Sequence, residues 1–458
     1  MIALTLQQIA DATNGRLVNV PDPEAVVAEP LSFDSRDIHP GGLFACLPGE
    51  NTDGHAFAAQ AVAAGAVTVL ASSPVDVPAI QVPDVTAALG DLAKAVAERF
   101  TGTTLALTGS AGKTSTKDLL LSILQLDGPT VANVASFNNE IGFPSTVLRV
   151  KDTTRYLVVE MGARGKGHIT YLTDIVHPQI SAVLNVGTAH LGEFGTREAI
   201  ADAKAEIVRA LPESGIAVLN ADDPLVRAMA EQTTARVILF GTSSDSDVRA
   251  SGIELDSHGR LSFTLHAAGD SAIVSPDVNG EHHVTNALAA AALALAAGLP
   301  FATIAKGLDG ARIVSGARME TTDRPDGVTV INDAFNASPE SVRAALHTLA
   351  KLSAGTRPAV AVLGEMKELG DSAEAIHEEI GGLVAELALD RLVTVGGPNA
   401  ELIGSTAQTV GIDTAHVHDK EQLLALLNAD LPDRAIVLIK GAHSLALDTV
   451  ATALASAR

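Results

Sequence analysis

Apolar runs of strand length recur along the middle of the chain, and each is followed by a stretch with the apolar spacing of a helix. These runs are "TLALTG" (104–109), "RYLVVEMG" (155–162), "ISAVLNVG" (180–187) and "GIAVLNADD" (215–223). Strands that alternate with helices in this way predict a parallel sheet with helices on both faces. The pattern therefore predicts an α/β fold for this region.

A second series of the same kind occupies the last third of the chain. Its apolar runs are "VTVINDAF" (328–335), "AVAVLGEM" (359–366), "RLVTVGG" (391–397) and "AIVLIKGAHS" (435–444). This series predicts a second doubly wound, Rossmann-like sheet. Between the two series, residues 252–267 predict an antiparallel hairpin attached to the first sheet.

The length of the chain indicates more than one domain. Its 458 residues exceed what a single core ordinarily organises. We expect a small mixed α/β domain over 1–85, a central parallel-sheet domain over 86–314 and a C-terminal Rossmann-like domain over 315–458. The Pro-punctuated segment 72–85 predicts an edge strand or a linker, and a hinge is expected near 310–318.

Charge and composition narrow the class of protein. The formal net charge of −23 argues against nucleic acid or an anionic membrane as a partner, because both attract basic surfaces. A single cysteine, Cys46, excludes a disulfide framework and a cysteine-built metal site. The N-terminal residues lack a signal-peptide pattern, and the longest apolar stretch, 287–298, is too short to span a bilayer. We therefore expect a cytoplasmic protein with no membrane insertion.

The segment "LALTGSAGKTS" (105–115) predicts a phosphate-binding loop between a strand and a helix. Glycines let backbone N–H groups approach phosphate oxygens, and the helix N-terminus adds partial positive charge. Lys113 would neutralise the outer phosphates of a nucleotide, and Thr114 would offer its hydroxyl to Mg²⁺. The usual eight-residue spacing is missing, because Leu107 stands where its first glycine should fall. An ordinary strand-to-helix turn is therefore the alternative.

Further polar residues follow the apolar runs, at the strand ends where parallel sheets bind ligands. Glu160 ends "YLVVE" and suits Mg²⁺, with a solvated or helix-capping glutamate as the alternative. His190 follows "AVLNVGTA", and a structural histidine is its alternative. Lys204 lies in "IADAKAEIV", where an ordinary helix lysine would keep its head in water.

Candidates in the later part of the chain have equally simple alternatives. Residues that suit helix caps as well as ligands are Asn286, Asp333 and Asn336. Charges that follow strands, and would otherwise be solvated, are Glu365, Lys367 and Lys440.

Taken together and in this order, several stretches resemble the Mur ligases, the ATP-dependent amide-forming enzymes of peptidoglycan precursor synthesis. They are "TGSAGKTS", "FNNEIGFPSTVLR", "VVEMGARGKGHI", "NVGTAHLGEFGT" with "AKAEI", and "INDAFNASPESVRAAL" with "VLGEMKELGDSAEAIH". The phosphate loop of that family has the short T-G-x-x-G-K-T/S form, so the resemblance favours a nucleotide site. It implies an N-terminal UDP-sugar-binding domain, a central ATP-binding domain and a C-terminal Rossmann-like domain that binds the incoming dipeptide.

The resemblance also implies a reaction. The D-N-P-R signature of the diaminopimelate- or lysine-adding ligase is absent, which favours the family member that adds D-alanyl-D-alanine to a UDP-muramoyl tripeptide. ATP is expected to convert the tripeptide carboxylate into an acyl phosphate, which the amine of the dipeptide attacks. We expect only small-molecule partners and a monomeric chain.

The site residues that the resemblance implies fall into groups. Those for ATP are Gly109, Ser110, Ala111, Gly112, Lys113, Thr114, Ser115, Asn286, Arg318 and Asp333. Those for two Mg²⁺ ions are Thr114, Glu160, His190 and Lys204, the last carbamylated so that it ends in a carboxylate. Those for the UDP-sugar and peptide are Ser35, Arg36 and Asn138, and those for the dipeptide are Asn336 and Glu365. The implied catalytic residues are Lys113, Lys204, His190 and Asn138.

Some positions depart from the family pattern. His283 replaces the first asparagine of H-N-x-x-N, and Asn332, Phe335 and Ser338 differ from D-D-x-Y-N-A-N-P. Phe335 removes a phenolic hydroxyl, and Asn332 removes a charge.

Two rival functions are a ligase of the folylpolyglutamate-synthase or cyanophycin type and a nucleotide-binding regulatory or scaffold protein without turnover. The N-terminal motifs weigh against the first, and the complete loop and metal set weighs against the second.

Overall fold

The computed structural model describes residues 1–49, 52–134, 137–189, 191–256, 259–353 and 356–457. Its larger sheets follow one another along the chain, and helices pack against them. The expected α/β fold class is therefore confirmed. In the described parts of the chain, no helix has the length and apolarity needed to cross a membrane.

The N-terminal unit is a small mixed sheet with helices. Its elements are β1 (Leu4–Thr5), α1 (Leu6–Ala12), β2 (Arg16–Val18), β3 (Val26–Val27), β4 (Leu31–Ser32), β5 (Leu43–Ala45), a 3-10 turn (Gly54–Phe57), α2 (Ala58–Ala63), β6 (Thr68–Ala71), β7 (Ala79–Gln81) and α3 (Val85–Ala97). The main sheet has the order β2-β7-β6-β5-β4, with β2 antiparallel to β7 and the other pairs parallel.

The expectation of an edge strand or linker over 72–85 is wrong. β7 lies inside the sheet, between β6 and β2. Pro78 and Pro83 flank this strand instead of interrupting it, so its N–H groups remain available to the ladder. The following helix, α3, contacts α1 and also packs against helices of the central unit, and the boundary at residue 85 stays a prediction.

The central unit carries the longest sheet. Its elements are β8 (Thr103–Thr108), α4 (Lys113–Leu124), β9 (Thr130–Ala132), α5 (Gly142–Val147), β10 (Tyr156–Glu160), α6 (His168–Val176), β11 (Ile180–Val183), α7 (Leu191–Phe194), α8 (Arg197–Arg209), β12 (Ile216–Asn220), α9 (Pro224–Arg227), a 3-10 turn (Ala228–Gln232), β13 (Arg236–Gly241), β14 (Val248–Leu255), β15 (Leu261–Ala267), β16 (Asp270–Val274), α10 (His283–Ala296) and α11 (Phe301–Leu308).

The order of this sheet decides where a ligand can sit. It runs β16-β15-β14-β13-β12-β11-β8-β10-β9, so β8 lies between β11 and β10 and parallel to both. Their side chains are buried almost throughout, as in a parallel sheet covered on both faces. The expected antiparallel hairpin is present as β14 and β15, with β16 added at the edge. The carboxyl ends of β8, β10 and β11 therefore meet at one rim.

The C-terminal unit is a second, mostly parallel sheet. Its elements are β17 (Glu320–Asp323), β18 (Thr329–Asn332), α12 (Pro339–Ser353), β19 (Ala359–Gly364), a 3-10 turn (Gly370–Ser372), α13 (Ala373–Glu386), β20 (Arg391–Val395), α14 (Pro398–Thr409), β21 (Asp413–Val417), α15 (Lys420–Ala429), β22 (Ile436–Lys440), a 3-10 turn (His443–Leu445) and α16 (Leu447–Ser456). The order is β17-β18-β22-β19-β20-β21, with β17 antiparallel and the remaining pairs parallel.

Helix α10 shows how composition sets the packing around the phosphate loop. Its alanines from Ala287 to Ala294 are buried almost completely. Small side chains allow this helix to approach α4 and the sheet closely, and α10 contacts α4 along much of its length. The Ala-rich run is thus a buried helix, and its first turn lies beside the loop that precedes α4.

We predict that Leu107→Ala lowers the free energy of unfolding by about 2–5 kcal/mol, because it leaves a cavity in the middle of the central sheet. Leu107 is fully buried in β8. The measurement is urea unfolding followed by far-UV circular dichroism. Ile273→Ala is the control, since Ile273 is 76% exposed on the edge strand β16 and should change stability by less than about 0.5 kcal/mol. Equal shifts in both variants would contradict the buried position of β8.

Candidate active site

The turn between β8 and α4 requires glycine at its last position. Gly112 caps α4 with a φ of +81°, a conformation that glycine adopts without strain. A β-carbon at Gly112 would overlap with Oδ1 of Asn286. The loop therefore passes so close to α10 that a side chain at residue 112 would displace one of the two elements.

Asn286 lies in the first turn of α10, not at its cap, because the helix begins at His283. The capping alternative for Asn286 is therefore wrong. Its Nδ2 lies 3.0 Å from Nδ1 of His283, and its Oδ1 accepts from the Thr116 hydroxyl at 3.4 Å. His283, which departs from the family pattern, thus orients the amide beside the phosphate loop.

Asn185, at the end of β11, braces the loop from the neighbouring strand. Its Oδ1 accepts from the Ala111 N–H at 2.9 Å, and its Nδ2 donates to the Ala111 carbonyl at 3.1 Å. The backbone carbonyl of Asn185 accepts from the Ser110 N–H at 3.2 Å. These bonds engage the amides of residues 110 and 111. The first N–H groups of α4 have no intrahelical acceptor, and with the positive end of the helix they favour a phosphate at this place.

The Lys113 ammonium is held at the loop, where it donates to the Gly109 carbonyl at 2.8 Å. Burial lowers the pKa of Lys113, and the nearby Glu160 carboxylate opposes that change. A phosphate anion at this place would further favour the charged form of the lysine.

Glu160 ends β10 inside the protein, with none of its surface exposed. Its Oε2 accepts from the Thr114 hydroxyl at 3.1 Å, and its N–H donates to Oδ1 of Asn133 at 2.7 Å. Among the described residues, Oε1 of Glu160 is buried without a hydrogen-bond partner. Burial raises the pKa of Glu160, and the cations Lys117, Lys113 and Arg318 act against that rise. A buried carboxylate oxygen without a partner is costly, and a divalent cation would remove that cost.

Lys204 is buried on α8, so the alternative of a lysine with its head in water is wrong. Burial lowers the pKa of Lys204 to about 7, and the charge of Lys113 adds to the lowering. His190 lies outside the described residues. Within those residues, no three His, Cys, Asp or Glu side chains converge as a metal cluster. Glu160 and Thr114 supply two oxygen donors at this rim, which suit a hard cation.

Arg318 joins the C-terminal unit to the phosphate loop. Its Nη2 donates to the Thr114 hydroxyl at 2.9 Å, and its guanidinium stacks on the Phe335 ring at 3.8 Å. Burial lowers the pKa of Arg318, while Glu160, Asp118 and Asp333 oppose the change. Phe335 lacks the hydroxyl of the family pattern, yet its ring supports the arginine that reaches the loop.

Asp333 and Lys440 form a buried ion pair behind Arg318. Nζ of Lys440 lies 2.5 Å from Oδ2 of Asp333 and also donates to the Asn336 carbonyl at 3.0 Å. Oδ1 of Asp333 accepts from the Met319 N–H at 3.2 Å. The alternative of a solvated Lys440 is therefore wrong. The pair fixes the backbone beside Arg318.

The residues expected to bind the dipeptide follow β18 and β19. Asn336 is exposed, and Glu365 is buried beside Gly397 and pairs with Lys367. His377 supports this loop, since its Nε2 accepts from the Met366 N–H at 3.0 Å and its Nδ1 contacts the Ala373 carbonyl. The side chain of His377 was not anticipated, although it ends one of the stretches that resemble the family.

The residues expected on the UDP-sugar side lie in the N-terminal and central units. Ser35 is buried, whereas Arg36 is exposed and pairs with Asp34, whose pKa it lowers to about 2. Asn138 lies next to the end of β10, and its carbonyl accepts from the Gly162 N–H at 3.3 Å. The structure thus brings Asn138 near Glu160 but keeps Arg36 in a local ion pair.

Contacts between the central and C-terminal units add residues that the sequence did not indicate. Glu340, in the first turn of α12, accepts from the N–H and hydroxyl of Thr188 at 2.7 and 2.8 Å. Gly192 donates its N–H to the Glu368 carbonyl at 3.1 Å. A β-carbon on Gly192 would lie 2.7 Å from the Gly370 nitrogen, so the two backbones touch. Thr188 and Gly192 therefore contact the C-terminal unit directly.

Comparisons with known proteins agree along the whole chain. Residues 29–97 match the Mur ligase family catalytic domain, 107–294 the Mur ligase middle domain, and 317–443 the Mur ligase glutamate ligase domain. A relative from Mycobacterium tuberculosis, UDP-N-acetylmuramoyl-tripeptide–D-alanyl-D-alanine ligase, is 46% identical over 99% of this chain and 98% of its own length.

Solved structures show the same similarity. A crystal structure of MurF from Acinetobacter baumannii has a TM-score of 0.88 and 33% identity, covering 99% of both chains. The MurF ligase from Thermotoga maritima in complex with ADP has a TM-score of 0.80 and 26% identity, covering 94% of this chain and 97% of its own. The overall fold described above is therefore similar to that of these neighbours.

We predict that Gly112→Ala abolishes nucleotide binding at the loop, because the added methyl group would overlap with Asn286 and strain the backbone. The measurement is calorimetric titration with ADP. Gly167→Ala is the matched control, since Gly167 also caps a helix, has a φ of +87° and has no atom within 4 Å of an added β-carbon. Unchanged ADP binding by Gly112→Ala would show that the loop does not face the nucleotide.

Proposed function

We propose that this chain, which belongs to the Mur ligase family, is an ATP-dependent ligase that joins D-alanyl-D-alanine to a UDP-N-acetylmuramoyl tripeptide. Full-length similarity to relatives of that name supports the substrates, and the ADP complex of the Thermotoga neighbour supports the nucleotide. The observation that carries the chemistry is the Thr114 hydroxyl, which joins Arg318 to the buried Glu160 at the rim of the sheet.

The proposed reaction has two steps. The terminal carboxylate of the tripeptide attacks the γ-phosphorus of ATP, the bond to the β,γ-bridging oxygen breaks, and ADP leaves. The amine of D-alanyl-D-alanine then attacks the acyl carbon, and the tetrahedral intermediate expels inorganic phosphate as the amine loses a proton. Product phosphate therefore carries one oxygen from the tripeptide carboxylate.

The main physical requirement of the first step is to bring a carboxylate to a triphosphate against their repulsion. Lys113, the first N–H groups of α4 and Arg318 are positive groups that converge on one place. Such groups stabilise the charge that develops on the transferred phosphoryl group. Because Arg318 belongs to the C-terminal unit, that unit would complete the site only when it lies against the loop.

Mg²⁺ fits the donors at this rim, since hard cations prefer oxygen ligands. The Thr114 hydroxyl and Oε1 of Glu160, which has no hydrogen-bond partner among the described residues, would hold one ion. We assign a second ion to His190 and a carbamylated Lys204. The ions would supply charge neutralisation at the phosphates.

The properties of Lys204 support its carbamylation. The modification forms a bond between the neutral amine and the carbon of CO₂, with loss of one proton, so it needs an uncharged lysine. A pKa of about 7 leaves roughly half of the amine uncharged at pH 7. The product ends in a carboxylate, which would relieve the repulsion between Lys204 and Lys113.

We assign the UDP-sugar and peptide to the side of the site that carries Ser35, Arg36 and Asn138, and the dipeptide to the side that carries Asn336 and Glu365. The ligand-binding roles of Asn286 and Asp333 toward the nucleotide are part of the same proposal. A monomer would suffice, because one chain supplies residues from its central and C-terminal units to this rim. The use of ATP and a UDP-linked substrate supports a cytoplasmic reaction.

We predict that phosphate release from ATP requires both UDP-muramoyl tripeptide and D-alanyl-D-alanine. The physical reason is that phosphate leaves only when the dipeptide amine attacks the acyl phosphate. The measurement is a coupled phosphate assay in which each substrate is omitted in turn. Turnover with glutamate acceptors alone would favour the folylpolyglutamate-type rival, and ADP binding without turnover would favour the scaffold.

We predict that Lys204→Ala loses activity by about two orders of magnitude or more and recovers part of it with added formate or acetate, because a small carboxylate can replace the carbamate. Phosphate release measures the loss and the rescue. In the unmodified chain, stimulation by added bicarbonate should grow as pH falls below about 7, where the neutral amine becomes scarce. Lys166→Ala, at an exposed lysine, is the control. Intact folding without rescue would contradict the carbamate.

A further inference from the structure

Helix α4 carries two adjacent charged residues that the proposed reaction does not use. Lys117 and Asp118 follow the phosphate loop by one turn, and their exposed fractions are 3% and 1%. Buried charges are costly unless other groups pair with them. Their partners therefore indicate what the two residues do.

Asp118 binds the linker that connects the central and C-terminal units. Its Oδ2 accepts from the N–H groups of Val314 and Ser315 at 3.0 and 2.8 Å. Its Oδ1 lies 2.8 Å from Nζ of Lys117. Lys117 also donates to the Asn133 carbonyl at 2.9 Å and lies 3.4 Å from the Ser315 hydroxyl.

The linker itself has no helix or strand that could hold it. It runs from the end of α11 at Leu308 to the start of β17 at Glu320. Ser315 and Arg318 are three positions apart, a reach of about 10 Å for extended chain. Arg318 then returns to α4 at Thr114, which lies one turn before Asp118. Helix α4 thus binds the linker at Ser315 and again at Arg318, and the two contacts form a closed ring.

The far side of the ring is fixed to the C-terminal unit. Arg318 stacks on Phe335, and the neighbouring Met319 N–H is held by Asp333. A shift of the linker at 314 and 315 would therefore move Arg318 relative to the loop without breaking its support in the C-terminal unit. The hydrogen bonds from the linker to Asp118 therefore fix the position of Arg318 relative to the phosphate loop.

We propose that Asp118, supported by Lys117, is a positioning residue that attaches the interdomain linker to the ATP-loop helix and so places Arg318 over the nucleotide. The proposal rests on the function given above and deepens it. Asp118 touches neither nucleotide nor substrate. It acts through the linker, and its effect on turnover passes through Arg318.

The test is a double-mutant cycle on the full chain with Asp118→Ala, Arg318→Ala and the double variant. Removing a buried acceptor of two N–H groups should lower kcat by about tenfold to a hundredfold, with little change in KM for the UDP-muramoyl tripeptide. The double variant should be no slower than Arg318→Ala alone. Additive losses would overturn the proposal, because they would mean that Asp118 does not act through Arg318.

Three further variants separate positioning from general stability. Asp118→Asn keeps an acceptor oxygen for the linker and should regain most of the activity. Ser315→Pro removes one N–H donor of the linker without altering α4, and it should reproduce the loss of kcat. If Asp118→Ala does not fold, Ser315→Pro takes its place in the test. Asp309→Ala is the control, since the hydrogen bond that Asp309 accepts at the start of the linker comes from the Ser275 N–H and not from the linker attachment at Asp118. Unimpaired kcat in Ser315→Pro would contradict the proposal.

A measurement without turnover keeps the two proposals distinct. Trypsin should cut the linker after Arg312 or Arg318 faster in Asp118→Ala than in the unmodified chain, by about the same factor as in Ser315→Pro. Failure of the unmodified chain to release phosphate would defeat the proposed function alone. Equal cleavage rates in the unmodified chain and Asp118→Ala would defeat the attachment, whatever the activity.

Discussion

The hydroxyl of Thr114 connects the parts of the molecule that the proposed chemistry needs. It donates to a fully buried carboxylate, Glu160, and accepts from the guanidinium of Arg318. The contact depends on parallel pairing of β8 and β10, in which Glu160 lies opposite Leu107. The short loop then returns the chain to the same rim. A buried carboxylate needs positive charge around it. Glu160 therefore requires Lys113, Arg318 and a cation together at this rim.

Much of this rim could be predicted because it follows from the sheet. Side chains that end parallel strands meet at one edge, so Glu160 and Thr114 were expected close together, and the structure places them 3.1 Å apart. The fold class followed from the alternation of apolar runs and helices. The roles of the individual site residues stay predictions, and His190 lies outside the described residues.

Other features depend on contacts that no local pattern reveals. Asp118 and Ser315 are 197 positions apart, and Thr188 and Glu340 are 152 apart. In sequence, Glu340 resembles an ordinary acid in the first turn of a helix. Lys440 was open to the alternative of a solvated charge because its ion-pair partner, Asp333, follows another strand. Asn286 was open to a capping role because a helix start cannot be located from sequence to within a few residues.

The backbone contact between Gly192 and Gly370 bears on the fate of a reactive intermediate. An acyl phosphate decays if a water molecule reaches its carbonyl carbon. The interface between the central and C-terminal units must therefore exclude water until the amine attacks. Some enzymes close a mobile loop or lid for that purpose. Here Gly192 and Gly370, which have no side chains, let the backbones of the central and C-terminal units touch directly. No water molecule fits between the two backbones at that point. A residue with a side chain at either position would hold the two units apart and admit solvent.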